Sequence, residues 1–323
     1  MPSFYGTVGE PVPEGLRLDR YVAEYCRLLS RSQIKARSLA AKINGKAVKL
    51  SRPVQTGDVL ELSWDEAEPV NLVPEDIALD IVYEDERAVV INKPQGMVVH
   101  PGAGIRRGTL ANALYFRRRI RAGVPEPSSL MEPLSPLVEP GGLRPGIVHR
   151  LDKDTSGIII AAYDDEALAF LAAQFKARKA KKTYLALVSG VPREGAGRIQ
   201  TLIARDRRDR KRFAVSGRGK AALTFYKVVQ TWQGHSLLLL SPRTGRTHQL
   251  RVHLRYLGHP IVGDPLYGFA DPVFPSASLM LHAKSLAITL PGENSPRLFR
   301  SPMPARFTAM IQTLNSSCAG ARK

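Results

Sequence analysis

The sequence predicts an α+β protein in two parts. A small basic αβ domain comes first, and a larger domain follows, built on a mixed, mainly antiparallel sheet flanked by helices. Three observations predict this. The chain has 323 residues, which suits about two domains at roughly 150 residues each. Residues 65–78 are acidic, with Pro69, Pro74 and five carboxylates, and read as a linker. Beyond them, alternating segments outnumber helical ones, and sequence neighbours can pair antiparallel, which favours a mixed sheet over a doubly wound one.

Residues 1–14 carry prolines and read as a loose lead. In residues 15–64, Leu16, Leu18, Tyr21, Val22 and Tyr25 recur at near-helical spacing, with Asp19 in the first turn. Ser30-Arg31-Ser32-Gln33-Ile34 opens a second helix, a serine capping it, that offers Arg31, Lys35 and Arg37 outward. Ile43-Asn44-Gly45-Lys46-Ala47-Val48 reads as strand, Asn-Gly turn and strand. Thr56-Gly57-Asp58 is another turn, and Val59-Leu60-Glu61-Leu62 alternates as a strand.

In the second part, residues 79–83 and 88–92 alternate as strands. Lys93-Pro94-Gln95-Gly96 breaks the pattern and Met97-Val98-Val99 resumes it. Residues 109–118 look helical. Residues 122–146 are rich in proline and glycine and read as a surface excursion. Residues 157–163 form a buried strand. Residues 164–178 form an amphipathic helix with Ala167, Leu168, Leu171 and Phe175 on one face. Strand patterns return at 183–189, 221–230, 237–240 and 279–290. Residues 247–257 and 304–314 are helical, Pro304 standing near the start of the last helix. The second domain is placed at 79–314, with 315–323 as a tail.

Lys and Arg total 47 against 29 Asp and Glu, a net charge of +18. Such an excess favours a polyanionic partner. It is clustered: residues 15–64 carry +6, residues 176–220 carry +12, and the remainder balances. No run approaches the ~18 apolar residues of a spanning helix, and residues 1–15 show no secretory pattern. Cys26 and Cys318 form neither a metal-ligand spacing nor a disulfide framework, which suits a reducing cytoplasm. The charge therefore points to nucleic acid rather than a membrane, and no required protein partner is evident.

Two sets of motifs carry a family resemblance. Arg17-Leu18-Asp19-Arg20, then Ser30 to Ile34, Ile43-Asn44-Gly45-Lys46 and Gly57-Asp58-Val59 resemble the S4 RNA-binding domain in order, with Ser38-Leu39-Ala40-Ala41 replacing a Gly-containing turn. His149-Arg150-Leu151-Asp152 followed by Thr155-Ser156-Gly157 resembles the active-site signature of RluA-type pseudouridine synthases. Lys182 to Gly190 resembles the family's tyrosine strand. Thr244 to His253, with Gly258-His259-Pro260 and Gly263-Asp264, resembles its arginine block, and Lys93-Pro94 with His100-Pro101 its early segment.

The resemblance implies isomerisation of uridine to pseudouridine in large-subunit ribosomal RNA or its assembly intermediate, with no cofactor. It implies Asp152 as the catalytic carboxylate, Arg246 as its ion-pair partner, Tyr184 as a stacking face for the target base, and Arg150 as the side chain that fills the space the flipped base leaves. Without the resemblance, Asp152 reads as a turn residue and Tyr184 as core. Attack on C1′, attack on uracil C6 and sugar deprotonation all remain compatible with one carboxylate. Among residues 205–215, Arg208, Arg210, Lys211 and Arg212 read as phosphate contacts. A transfer-RNA substrate and a noncatalytic RNA-binding or assembly factor are the competing readings.

Overall fold

The computed structural model describes residues 2–9, 11–26, 28–29, 34, 38–65, 72–102, 104–121, 123 and 146–320. Nearly all of 122–146 lies outside them, as do Arg31, Lys35 and Arg37. The chain divides into two compact units at residues 71 and 72. Among the described residues no helix is long and apolar enough to cross a membrane.

The first unit is a four-stranded antiparallel sheet in the order β1 (Ser3–Thr7), β4 (Val59–Ser63), β2 (Ala40–Ile43), β3 (Lys46–Ala47). Helix α1 (Leu18–Glu24) buries Leu18, Tyr21 and Val22. These join Ile34, Ile43, Val54, Leu60, Leu62 and Trp64 in one core. Asn44 and Gly45 both take positive φ, the conformation the tight β2–β3 turn requires. The Asn44 side chain also ties that turn to Asp58 and to the Val59 amide. The expected loose lead is corrected here: residues 3–7 are an edge strand paired with β4 from Ser3↔Ser63 to Thr7↔Val59. Flanking prolines and a half-exposed strand with Gly6 near its centre hide that pairing in the sequence.

The second unit holds β5 (Ile81–Glu84), β6 (Ala88–Lys93), α2 (Leu110–Arg121), β7 (Ser156–Ala162), α3 (Asp165–Lys176), β8 (Lys181–Ser189), β9 (Ala196–Arg205), β10 (Phe213–Val215), β11 (Lys220–Trp232), β12 (His235–Pro242), α4 (Gln249–Tyr256), β13 (Leu281–Ile288), β14 (Arg297–Arg300) and α5 (Ala305–Gly320). The strand order is β10-β9-β11-β12-β8-β13-β7-β6-β5, with β14 pairing with β13. Among the described strands only β13 and β7 run parallel; the sheet is mixed and mainly antiparallel, as the sequence pattern predicts.

The centre of this sheet is buried on both faces. Every residue of β7 is buried, and Ile158 and Ile160 pack against Ala167 and Leu171 of α3. Each such isoleucine contributes roughly 1.5–3 kcal/mol. Asp164 caps α3 by accepting from the Ala167 amide. The parallel contact of β7 with β13 needs a residue without a side chain: Gly157 has φ +111° and an added Cβ would lie 2.2 Å from the Ala283 carbonyl oxygen. From the far side, Arg306 of α5 donates to Ser156 Oγ at 2.6 Å. The start of β7 is therefore fixed from several directions, and the segment just ahead of it inherits that rigidity.

Candidate active site

Residues 146–155 double back beside β7 before entering it. Ile147 bridges to Ala161, and His149 Nε2 accepts the Ile160 amide at 3.1 Å where a neighbouring strand would otherwise do so. Burial, and then the Lys182 charge, push the His149 pKa down to about 3, so the ring is the neutral acceptor this bond needs. It stacks on Phe175 of α3. His149 is a structural strut, and Arg150 to Thr155 form the loop it anchors.

That loop rests on the turn after β6. Lys93 is fully buried, and its ammonium donates to the carbonyls of Pro94, Met97 and Lys153 at 2.8–3.1 Å. Burial lowers its pKa to about 8 against the opposing charges of Asp154 and Asp152. The Gly96 amide also donates to Lys153, and Gln95 Nε2 donates to the carbonyls of Asp154 and Leu279. The backbone beside Asp152 is thus pinned while its carboxylate stays partly open, at 22% side-chain exposure.

The cation facing that carboxylate is Arg251, Nη1 to Oδ2 at 3.6 Å. Arg251 lies on the buried side of α4 and forks onto Asp264, with Nε to Oδ2 at 2.7 Å and Nη2 to Oδ1 at 2.6 Å. The Leu266 and Tyr267 amides also donate to Asp264. Desolvation works against the guanidinium, but Asp264 and then Asp152 outweigh it and raise its pKa. Arg246, the partner expected for Asp152, is corrected here. It stands in the loop before α4, where its Nε donates to the Ala221 carbonyl at 3.0 Å. It lines the same cavity without pairing with Asp152.

The cavity is lined by Arg150, Asp152, Lys182, Tyr184, Arg246 and Arg251, so it brings together the four residues singled out in the three central motifs. Tyr184 and Lys182 share one face of β8 by strand alternation. Burial, and then the Asp152 charge, keep the Tyr184 phenol protonated by raising its pKa. Among these six residues, four are cationic and one is anionic, a composition suited to a polyanion.

Similarity to known proteins shows which family the chain belongs to. The family model described as RNA pseudouridylate synthase matches residues 87–256, just over half of the chain. The chain belongs to the RNA pseudouridylate synthase family. It is 42% identical over 310 residues to the ribosomal large subunit pseudouridine synthase D of Borreliella burgdorferi, covering 94% of this chain and 90% of that one. It is also 42% identical over 325 residues to the protein of the same name from Xylella fastidiosa, covering 95% and 92%. A solved human protein, RNA Pseudouridylate Synthase Domain Containing 4, superposes with TM-score 0.56 at 27% identity, covering 73% of this chain and 93% of its own.

For a pseudouridine synthase the surroundings of the cavity are informative as well. His248, at the N-terminus of α4 with φ +54°, takes a hydrogen bond on Nδ1 from the Tyr267 hydroxyl at 2.9 Å. That hydroxyl accepts the Phe213 amide at 2.8 Å, so its own proton goes to a neutral His248. Burial lowers the His248 pKa, in keeping with that role. Tyr267 also lies under the guanidinia of Arg212 and Arg251. Arg212 therefore shares one ring with Arg251 of the cavity wall, whereas Arg208, Arg210 and Lys211 stand on the β9–β10 turn.

Sequence reasoning missed Arg251, Tyr267 and Lys93 as working parts, although Arg251 and Lys93 stand in quoted motifs and Tyr267 lies three residues beyond one. One signal was available for Arg251. It falls between Leu250, Val252 and Leu254 on an amphipathic helix, and an inward arginine needs a buried acceptor.

Proposed function

We propose that this pseudouridine synthase isomerises specific uridines of large-subunit ribosomal RNA in the cytoplasm, with Asp152 as the catalytic carboxylate. The observation that carries the reading is the Asp152–Arg251–Asp264 chain, set beside Tyr184 in a cation-lined cavity. The large-subunit substrate is carried by the names and coverage of the relatives.

The target uridine leaves its stack to enter the cavity. Its base lies on Tyr184, and Arg150, at the exposed mouth, takes the space it leaves. The N1–C1′ bond breaks, the base turns, and a C5–C1′ bond forms; the C5 proton is lost and N1 gains one. Asp152 acts on the sugar or base, held by Arg251 in one orientation. Arg246 contacts the RNA strand rather than Asp152. The first unit is assigned RNA binding through its S4-like motifs and its +6 excess, which spreads across residues 15–64.

Mapping pseudouridines in total RNA from cells with and without the gene tests the substrate. Large-subunit sites should vanish on deletion, return with the wild-type gene, and stay absent with Asp152→Asn. Sites lost only from transfer RNA would replace the ribosomal assignment. Full restoration by Asp152→Asn would remove Asp152 from the chemistry.

A further inference from the structure

Beside the cavity that holds Asp152 lies a second one of about 310 Å³, and the two share Gly245, Arg246 and Thr247 as their common wall. Its volume is at the lower end of ligand cavities, roughly 300–1,000 Å³. Three cations from three separate elements converge on it: Arg205 at the end of β9, Lys220 at the start of β11, and Arg246 ahead of α4. Phe213 supplies an aromatic surface.

None of the three cations is paired with a carboxylate among the described residues. Arg205 Nη1 donates to the Arg210 carbonyl at 2.6 Å and its guanidinium covers the Phe213 ring. Arg246 uses Nε on the Ala221 carbonyl, leaving its terminal nitrogens. The acids of the adjoining turn are committed elsewhere. Asp206 accepts the Arg208 and Asp209 amides, and Asp209 accepts the Lys211 amide. The wall itself is held to β11, since the Leu223 amide donates to Thr244 Oγ1 and the Arg243 amide to the Leu223 carbonyl. Cations held at strand ends and on the wall loop, unneutralised and facing a cavity, fit phosphodiester oxygens.

Resting on the function proposed above, we propose that this second cavity is a subsite for the ribonucleotide next to the target uridine in the same strand. Arg205 and Lys220 hold its phosphate, and Arg246, shared by the two cavities, holds the phosphate that joins it to the target. The enzyme thereby grips the strand immediately beside the nucleotide it extrudes.

The test uses the full-length protein and ribosomal RNA extracted from a strain lacking the gene. An Arg205→Ala/Lys220→Ala variant is compared with Arg106→Ala/Arg107→Ala, which removes the same charge from an exposed loop of the same unit. The cavity variant should weaken Kd and raise KM about tenfold or more, with kcat at saturating RNA largely kept. It should also flatten the slope of log Kd against log salt by roughly 0.7 for each phosphate no longer held. The loop variant should change each by less than about twofold. Equal losses in the two variants, or an unchanged Kd and slope in the cavity variant, overturn the subsite. Wild-type protein that forms no pseudouridine in this RNA overturns the function instead, and the two failures are distinct. Unfolding temperatures of both variants should match wild type; a lower one moves the test to Arg205→Gln/Lys220→Gln, judged by the same slope.

Discussion

Arg251 is buried with its guanidinium divided between Asp264 and Asp152, whereas Arg208 and Arg210 stand on the β9–β10 turn. The side chain is the same and the use is opposite. At Arg251 the fixed fork of donors converts charge into geometry, and the cost of desolvation is offset by two carboxylates. On the turn the charge faces outward, and its value lies in the phosphates it can meet. Tyr267 joins the two regions, with Arg251 and Arg212 both over its ring and its hydroxyl on His248.

The contrast is broken most strongly at the buried end. Arg251→Met should lower kcat by about 10³-fold and destabilise the fold by about 3–5 kcal/mol, because Asp264 is left buried and unpaired. Single-turnover kinetics and denaturant unfolding measure the two effects. Retention of activity within tenfold would detach Asp152 from Arg251.

A second, smaller effect is one of pH. Burial lowers the pKa of His149 to about 3, and of His253 and His282 to about 4, from 6.5. Each ring is kept neutral in the folded state, so its contribution is complete above pH 6.5 and is lost as pH falls towards 4. Each should cost about 1.4 kcal/mol per pH unit within that window. Unfolding near pH 5 should therefore take up close to three protons from these rings, read by calorimetry in buffers of different ionisation enthalpy. A melting temperature flat between pH 7 and 5 would contradict this.

The smallest effect belongs to the basic turn. Arg208→Ala/Arg210→Ala/Lys211→Ala should leave unfolding within about 0.5 kcal/mol of wild type and weaken RNA binding a few-fold, with a flatter salt dependence. A loss of stability like that of Arg251→Met would erase the distinction between the two regions.

Elements with strong periodicity are legible in the sequence. The run of isoleucines in β7, the apolar face of α3 and the Asn-Gly turn announce themselves through local patterns. Strand β9 is not legible: only Ile199 and Ile203 of its ten residues are buried, and the rest are polar, small or half-exposed. Strand β14 is nearly all exposed, so its sequence carries no inward pattern. In the site, Asp152, Tyr184 and Arg150 are legible because motifs name them. The choice between Arg246 and Arg251 is not. Both lie in one motif, and only the start of α4 at Gln249 decides which turns inward. The Asp264 fork depends on a loop that returns thirteen residues later, which no local period encodes.

Lys93 gives this arrangement a further property. Its three protons meet three carbonyls contributed by two loops, so it works as a captive ion, performing the organising task of a bound cation while remaining covalently tethered. A captive ion cannot be diluted, exchanged or competed away. Concentrated salt, which screens the exposed charge of the basic turn, leaves the backbone around Asp152 in its present shape.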